Sequence, residues 1–195
     1  MRRGVHGLQT LLADLTSQDE ARAEASVPEL VALGEDAIPA LLGLSHSTDS
    51  DKRWWAVRVL GESPHTPTEN LLPFLEDSAA EVRQAAALAL SIRADESMLP
   101  DLIRALSDKD SIVGSLVINA LVKVGAPAVP ALLEVLNDAP QATRVLALRA
   151  LAEIKDHRAI PVMMKVMQED SALLQHWAQE GLERLGLDMV YIKPN

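Results

Sequence analysis

The sequence predicts an all-α protein that folds as a right-handed α-solenoid, or α-α superhelix, of about six helical hairpins. Proline-centred apolar segments recur at intervals of 27 to 34 residues, and each is followed by a second apolar stretch with helical spacing. The prolines are Pro39, Pro73, Pro100, Pro130 and Pro161. In composition, 48% of the residues are hydrophobic and only five are aromatic, which suits a core of small and medium side chains. A repeat of this length buries its apolar face only against its neighbours, so its units are predicted to share one core.

Each unit is predicted to be a helical hairpin whose first helix starts at the proline. Proline is tolerated in the first turn because the amides there have no partner within the helix, and its fixed φ is already helical. In the clearest unit, Pro73 opens a short first helix, and a second helix follows from Glu81 with apolar residues three and four apart. The prolines are therefore assigned a structural role.

The repeat divides the chain into units that we predict to form a single domain over residues 1–195. Their approximate bounds are 5–35, 36–63, 69–95, 97–126, 127–156 and 158–187, with a tail at 188–195 that is expected to fold back over the last hairpin. Glycines are expected where second helices stop, because glycine accepts a left-handed conformation; they are Gly34, Gly61, Gly125 and Gly186. Pro28 lies inside the predicted second helix of the first unit and is expected to kink or split it.

An Asp-x5-Arg pattern recurs at the turn inside the unit. It pairs Asp77 with Arg83 and Asp138 with Arg144, so that a carboxylate in the turn and a guanidinium one helical turn later can hydrogen-bond the turn and brace adjacent hairpins. We interpret these four residues as structural. Gly114 replaces the arginine of the fourth repeat, which predicts a weaker or more flexible junction there.

These motifs carry a family resemblance. With Glu-Val-Arg-x-x-Ala-Ala at residues 81–87 and Ala-Ile-Pro at residues 159–161, the units resemble HEAT repeats of the short, roughly 30-residue kind found in phycobilisome-lyase-like proteins. The resemblance covers about residues 8–187. It implies an armadillo/HEAT-like fold and says little about function.

Charge and composition restrict the partners. The formal net charge is −10, from 18 basic and 28 acidic residues, and this disfavours a nucleic-acid partner because phosphate binding needs a dense basic surface. The chain contains no cysteine and no apolar run near the roughly 18 residues of a membrane span. We therefore predict a cytoplasmic protein with a protein or peptide partner, no nucleic-acid partner, no membrane partner and an oligomeric state that the sequence leaves open.

The sequence contains none of the common catalytic spacings for phosphate binding, acyl transfer or zinc hydrolysis. Deoxyhypusine hydroxylases are HEAT-repeat enzymes that bind iron through repeated His-Glu pairs, but here the histidines are followed by Gly7, Ser47, Thr66, Arg158 and Trp177. His176 and Glu180 stand four apart on one helix, and two ligands are too few for a metal site. We therefore predict no catalytic residue, no metal and no cofactor.

A row of residues on the second helices is the candidate binding groove. Trp54 and Trp55 are adjacent and point about 100° apart on a helix, so alignment with the next unit assigns Trp55 to the core and Trp54 to the inner, concave face. Two positions read through five units complete the row: Trp54, Arg58, Gln84, Leu88, Ser115, Asn119, Val145, Arg149, His176 and Glu180. Tryptophan and arginine are enriched at protein interfaces, whereas the alternative is that these surfaces are merely solvated.

Three functions follow. The leading hypothesis is a non-enzymatic scaffold that binds a protein or peptide along the concave face, with specificity from Trp54, Arg58 and Arg149. The alternative, which the resemblance implies, is a subunit of a phycobilin lyase or a related tetrapyrrole-handling protein, in which Arg58 or Arg149 pairs with the propionates and His176 or Trp54 lines the pigment. A HEAT-like DNA repair enzyme is a third possibility, and the acidic charge argues against it.

Overall fold

The computed structural model describes residues 2–169 and 171–187 of the chain. In that part, the secondary structure is helical throughout, without a strand. The α-helices are α1 (Arg2–Leu15), α2 (Glu20–Ala32), α3 (Ile38–Leu44), α4 (Ser50–Glu62), α5 (Ala80–Arg93), α6 (Leu99–Ala105), α7 (Ser111–Val124), α8 (Val129–Asp138), α9 (Gln141–Ile154), α10 (Ile160–Val166) and α11 (Ala172–Arg184). A 3-10 helix, Leu72–Glu76, takes the place of the first helix in the third unit. The predicted all-α fold of about six hairpins is confirmed, and the predicted fold-back of residues 188–195 lies outside the described residues.

The contacts divide the chain into two compact units, Met1–Leu90 and Ser91–Asn195. In the first unit, α1 packs against α2, α3 packs against α4, and α2 also contacts α4. In the second unit, the hairpins are α6 with α7, α8 with α9 and α10 with α11, while α9 packs against both α7 and α11. The single domain predicted over residues 1–195 stays a prediction.

Leucine and alanine dominate the core of each unit. Leu15, Leu30, Leu41, Leu60 and Leu71 are fully buried in the first unit. The second unit buries Met98, Leu102, Leu106, Ile118, Leu121 and Leu132 to the same degree. Each such side chain contributes roughly 1.5–3 kcal/mol relative to an exposed one, so each hairpin depends on its neighbour for stability.

Helix starts follow the proline pattern. Each of the five prolines is the second residue of its helix, where the missing amide hydrogen removes no intrahelical hydrogen bond. Pro28 also lies within a helix, but α2 is not split there and runs on to Ala32. Its N-cap Asp19 accepts hydrogen bonds from the backbone N–H groups of Ala21 and Arg22, which stabilises the helix start.

One of the predicted stop glycines has a different role. Gly34, Gly125 and Gly186 have positive φ angles, as a helix stop requires. Gly61 instead lies inside α4, which ends one residue later, so its assignment as a stop is wrong. A Cβ at Gly61 would lie 2.6 Å from the Cβ of Ala89, so glycine is needed there to let α4 and α5 approach closely.

Among the described residues, no single helix is long and apolar enough to cross a membrane; Ser111–Val124 and Ala126–Asp138 meet that test only as a pair, bent by 114°.

Candidate functional site

The first unit contains a cluster of two tryptophans and an arginine on α4, which we call the first Arg–Trp cluster: Trp54, Trp55 and Arg58. The ring centroids of the tryptophans are 4.8 Å apart and their planes meet at 78°, an edge-to-face arrangement. The guanidinium carbon of Arg58 lies 5.5 Å from the centroid of Trp54 and 5.3 Å from that of Trp55. Both distances are within the range of a cation–π interaction.

Two carboxylates neutralise the guanidinium of the first Arg–Trp cluster. Arg58 donates from Nη1 and Nη2 to the two oxygens of Glu24, at 2.6 and 2.7 Å, and from Nε to Glu62 at 3.1 Å. The hydrogen bonds with Arg58 lower the pKa of the Glu24 carboxyl, and the same contact is the main reason that the pKa of Arg58 is raised. Arg58 is therefore already paired and offers little to a further anion.

Trp55 is not a core residue, contrary to the prediction. Both tryptophans are half-buried and line a cleft of about 530 Å³ on the first unit. The cleft lies between the turns before α2 and α4 and the first turn of α5, so one side of the indole pair lacks a packing neighbour. Alignment with Ala85 could not reveal this, because the alanine is too small to show where a tryptophan ring would extend.

The second unit holds a related set, which we call the second Arg–Trp cluster: Arg149 on α9 with His176 and Trp177 on α11. The guanidinium carbon of Arg149 lies 5.1 Å from the centroid of Trp177, and the rings of His176 and Trp177 are 5.3 Å apart at 67°. The packing of α11 against α9 brings these side chains together. The arginine is half-buried and His176 is exposed.

Arg149 differs from Arg58 in its electrostatic surroundings. It forms no ion pair with any residue of 2–169 or 171–187. Glu153 lies four residues after Arg149, as Glu62 lies four residues after Arg58, but only Glu62 is bound by its arginine. Its Nε is buried and has no acceptor within those ranges. The second Arg–Trp cluster thus presents a stacked cation that no carboxylate in the described ranges neutralises.

The other residues of the predicted row do not form one uniform surface. Gln84 lines the cleft of the first unit, and Leu88 is 53% exposed. In the second unit, Ser115 and Asn119 are exposed on α7, as the row requires. Val145 is buried at 8% exposure, which contradicts its placement on the open face. The reason is that α9 is covered by α7, α8 and α11, so little of its circumference faces solvent.

His176 and Glu180 share a helix but do not act as a pair. The carboxylate of Glu180 accepts a hydrogen bond from Nε of Arg184 at 2.8 Å, whereas the ring of His176 lies against Trp177. The Glu180 carboxylate is thus engaged by arginine and not by the neighbouring imidazole.

The bracing arginines are placed differently from the predicted pairs. Arg53 binds both carboxylate oxygens of Asp77, at 2.8 and 2.7 Å, and the hydrogen bonds with Arg53 are the main cause of the lowered pKa of Asp77. The carboxylate of Asp77 also accepts a hydrogen bond from the backbone N–H of Ala79. Arg83 donates a hydrogen bond to the backbone carbonyl oxygen of Asp77 at 2.9 Å. The carboxylate thus links two consecutive hairpins and caps its own turn.

Asp138 does not pair with Arg144, so that predicted contact is wrong. Asp138 is exposed and has no ion-pair partner among the described residues, because α8 continues to this position and carries the side chain outward. Arg144 instead donates from Nη2 to Glu169 at 2.6 Å.

At Gly114, a Cβ would lie 2.9 Å from Cδ1 of Leu146, so glycine allows close packing of α7 and α9.

Sequence reasoning missed three residues of these sites: Glu24, Arg53 and Trp177. Trp177 was detectable, because it follows His176 as Trp55 follows Trp54 in the repeat register. Glu24 was missed because the first unit was interpreted as irregular. The repeat spacing could have identified it, because Glu24 precedes Trp54 by 30 residues, which is one repeat.

A family model decides the relationship of the chain to known proteins. The model of HEAT repeats matches residues 68–144 and 129–190, more than half of the chain. The chain belongs to the HEAT-repeat family. Its predicted resemblance to the phycobilisome-lyase-like repeats is confirmed by the relatives described next.

This HEAT-repeat protein is similar to a phycobilisome maturation protein and to a bilin biosynthesis protein. A phycobilisome maturation protein of Synechococcus elongatus is 34% identical over 110 residues, 56% of this chain and 53% of that protein. The bilin biosynthesis protein RpcF of Synechococcus sp. (strain WH8020) is 31% identical over 127 residues, 60% of each chain. The HEAT-repeat protein therefore spans a little more than half the length of these curated relatives.

A solved structure extends the comparison. The complex of CpcE and CpcF of phycocyanin lyase from Nostoc sp. PCC7120 contains a chain that is 25% identical and superposes with a TM-score of 0.58. The match covers 75% of this chain and 98% of that one. It confirms the armadillo/HEAT-like fold class.

These similarities correct two predictions. The leading hypothesis of a non-enzymatic scaffold is wrong, because the named relatives act in bilin biosynthesis and phycobilisome maturation. The prediction that the protein is not an enzyme is overturned by the same relatives and by the phycocyanin lyase structure. The tetrapyrrole-handling alternative fits them better.

Proposed function

We propose that this HEAT-repeat protein is a subunit of a bilin lyase, or of a closely related activity, and that it binds a linear tetrapyrrole. The main support is its similarity to one chain of the phycocyanin lyase complex, almost all of which the match covers. The bilin biosynthesis relative adds a second, independent similarity.

The second Arg–Trp cluster is the pigment site in this proposal. Arginine binds carboxylates through two parallel hydrogen bonds, and Arg149 has no carboxylate partner within residues 2–169 and 171–187 that a propionate would have to displace. The indole of Trp177 offers a flat surface for conjugated pyrrole rings, and the exposed His176 ring extends it. Arg58, the other predicted propionate partner, is less suitable because Glu24 already occupies its guanidinium.

The partner in this proposal is a second, unlike protein chain. The phycocyanin lyase neighbour is a complex of CpcE and CpcF, which supports a protein partner of the same kind for this chain. The cytoplasmic location predicted from the sequence is part of the same proposal.

Titration with biliverdin, a linear tetrapyrrole with two propionates, tests the pigment site through its absorbance spectrum. Arg149→Gln should weaken binding by about tenfold, because it removes a charge-assisted pair with a carboxylate. Arg58→Gln is the matched control and should bind as the unchanged protein does. Equal losses in the two variants, or absence of binding to the unchanged protein, would refute the assignment; far-UV circular dichroism checks that both variants are folded.

A further inference from the structure

The cleft of the first unit has a chemistry unlike that of the second Arg–Trp cluster. Its volume is about 530 Å³, and it is lined by the two indoles of Trp54 and Trp55 together with acidic residues at the starts of three helices. The acidic groups are Glu20 on α2, Asp51 on α4 and Glu81 on α5. Two half-buried aromatic rings beside carboxylates form a surface suited to a cation.

These three carboxylates are available to a ligand. None of them has an ion-pair partner among the residues that the structure describes, and Asp49, a fourth acidic residue of the lining, is the one engaged as a helix cap. Lys52 supplies the single basic side chain of the lining. Negative charge in a first helical turn is favourable to the helix, but this interaction leaves the carboxylate oxygens open to a ligand.

The indole pair already attracts one guanidinium. Arg58 lies over both rings, yet it is not among the residues that line the cleft, so the cleft offers a further surface of the same rings. A guanidinium is planar, stacks on aromatic faces and binds carboxylates through two hydrogen bonds. A tetrapyrrole is a poor occupant here, because the carboxylates would repel its propionates.

We infer that the cleft docks an arginine side chain presented by a partner polypeptide. The guanidinium stacks on Trp54 or Trp55 and pairs with Glu20 or Glu81. Charge complementarity identifies this occupant: the lining carries four carboxylates and one ammonium group. The inference does not depend on bilin binding, which the proposal above assigns to the second unit.

The probe is the peptide acetyl-Gly-Arg-Gly-Arg-Gly-amide, titrated into the full chain by calorimetry. The Glu20→Gln/Glu81→Gln double variant should bind it about tenfold more weakly, as expected for two partly exposed ion pairs. The control is Glu69→Gln/Glu96→Gln, which removes the same charge from exposed first-turn positions outside the cleft and should bind as the unchanged protein does. Fluorescence of the Trp177→Phe chain, in which only Trp54 and Trp55 remain, should change on binding.

Four outcomes would overturn the inference. The first is that the arginine peptide does not bind, and the second is that the two double variants lose affinity equally, which would mean long-range attraction to an acidic chain. The third is binding without a change in the fluorescence of Trp54 and Trp55. A peptide with glutamate in place of arginine should not bind, and its binding would also contradict the proposed charge complementarity.

Discussion

The two Arg–Trp clusters share an arginine and a tryptophan at equivalent repeat positions, and they differ in whether carboxylates neutralise the arginine. In the first cluster, Glu24 and Glu62 surround Arg58 with carboxylate oxygens. In the second, Arg149 stacks on Trp177 and has no ion pair within residues 2–169 and 171–187. Equivalent repeat positions thus place each arginine beside an indole, whereas the neighbouring side chains determine whether its charge is neutralised.

The difference can be traced to single residues. Glu24 precedes Arg58 by 34 residues, and Ser115 precedes Arg149 by the same separation. The position that carries a carboxylate in the first unit carries a hydroxyl in the second. This comparison suggests substitutions that exchange the properties of the two clusters.

The largest expected effect concerns the arginines that brace the hairpins, one in each unit. Asp77→Ala leaves Arg53 without its bidentate partner at a site where both side chains are about one-tenth exposed, and should lower the free energy of unfolding by about 3 kcal/mol. Glu169→Ala, which breaks the more exposed pair with Arg144, should cost about 1 kcal/mol. Urea unfolding measures both. Asp138→Ala is the control and should change little; a loss equal to that of Asp77→Ala would contradict the bracing role.

The next prediction introduces a carboxylate that would neutralise Arg149 in the second cluster. Ser115→Glu places a carboxylate 34 residues before Arg149 and should weaken biliverdin binding by about tenfold, because the new carboxylate competes with the propionate. Ser115→Gln has a similar size without the charge and should leave binding close to that of the unchanged protein. If both variants weaken binding alike, steric hindrance and not charge is responsible.

The reverse exchange should have a smaller effect. Glu24→Ser removes the bidentate partner of Arg58 but leaves Glu62, so the first cluster should gain only about threefold in affinity for biliverdin. The measurement uses the Arg149→Gln chain, in which binding to the second cluster is weakened. Absence of any gain would mean that Glu62 alone is enough to neutralise Arg58.

The smallest effect tests an arginine of the second unit that is paired. Arg158 donates to both oxygens of Asp156, and these hydrogen bonds lower the pKa of Asp156 from 3.8 to about 2. A carboxyl whose folded pKa is lowered contributes stability above pH 3.8 that is lost as the pH falls towards 2. Asp156→Asn should therefore melt at a lower temperature at pH 6, and the difference should narrow on acidification. A difference independent of pH would exclude the ion pair as its cause.

The sequence was sufficient to predict the hairpins and the starts of their helices, because proline has few acceptable positions in a helix. It was not sufficient for side chains that depend on a neighbour one repeat away. The carboxylate of Asp77 is paired with Arg53 of the preceding hairpin, while Arg83 of its own hairpin binds the Asp77 carbonyl oxygen. Val145 is buried because α9 is covered on three sides. Periodicity identifies the face of a helix but not the helix that lies against it.

The close contact at Gly61 has a mechanical consequence for the cleft. Gly61 and Ala89 hold the ends of α4 and α5 together, while Trp54 and Glu81, near the opposite ends of the same helices, form walls of the cleft. The pair therefore acts as a spacer that sets how far the two walls diverge. A methyl group added at Gly61 would collide with Ala89 and force these helix ends apart. A substitution at Gly61 would therefore change the width of the cleft, although Gly61 is not part of its lining.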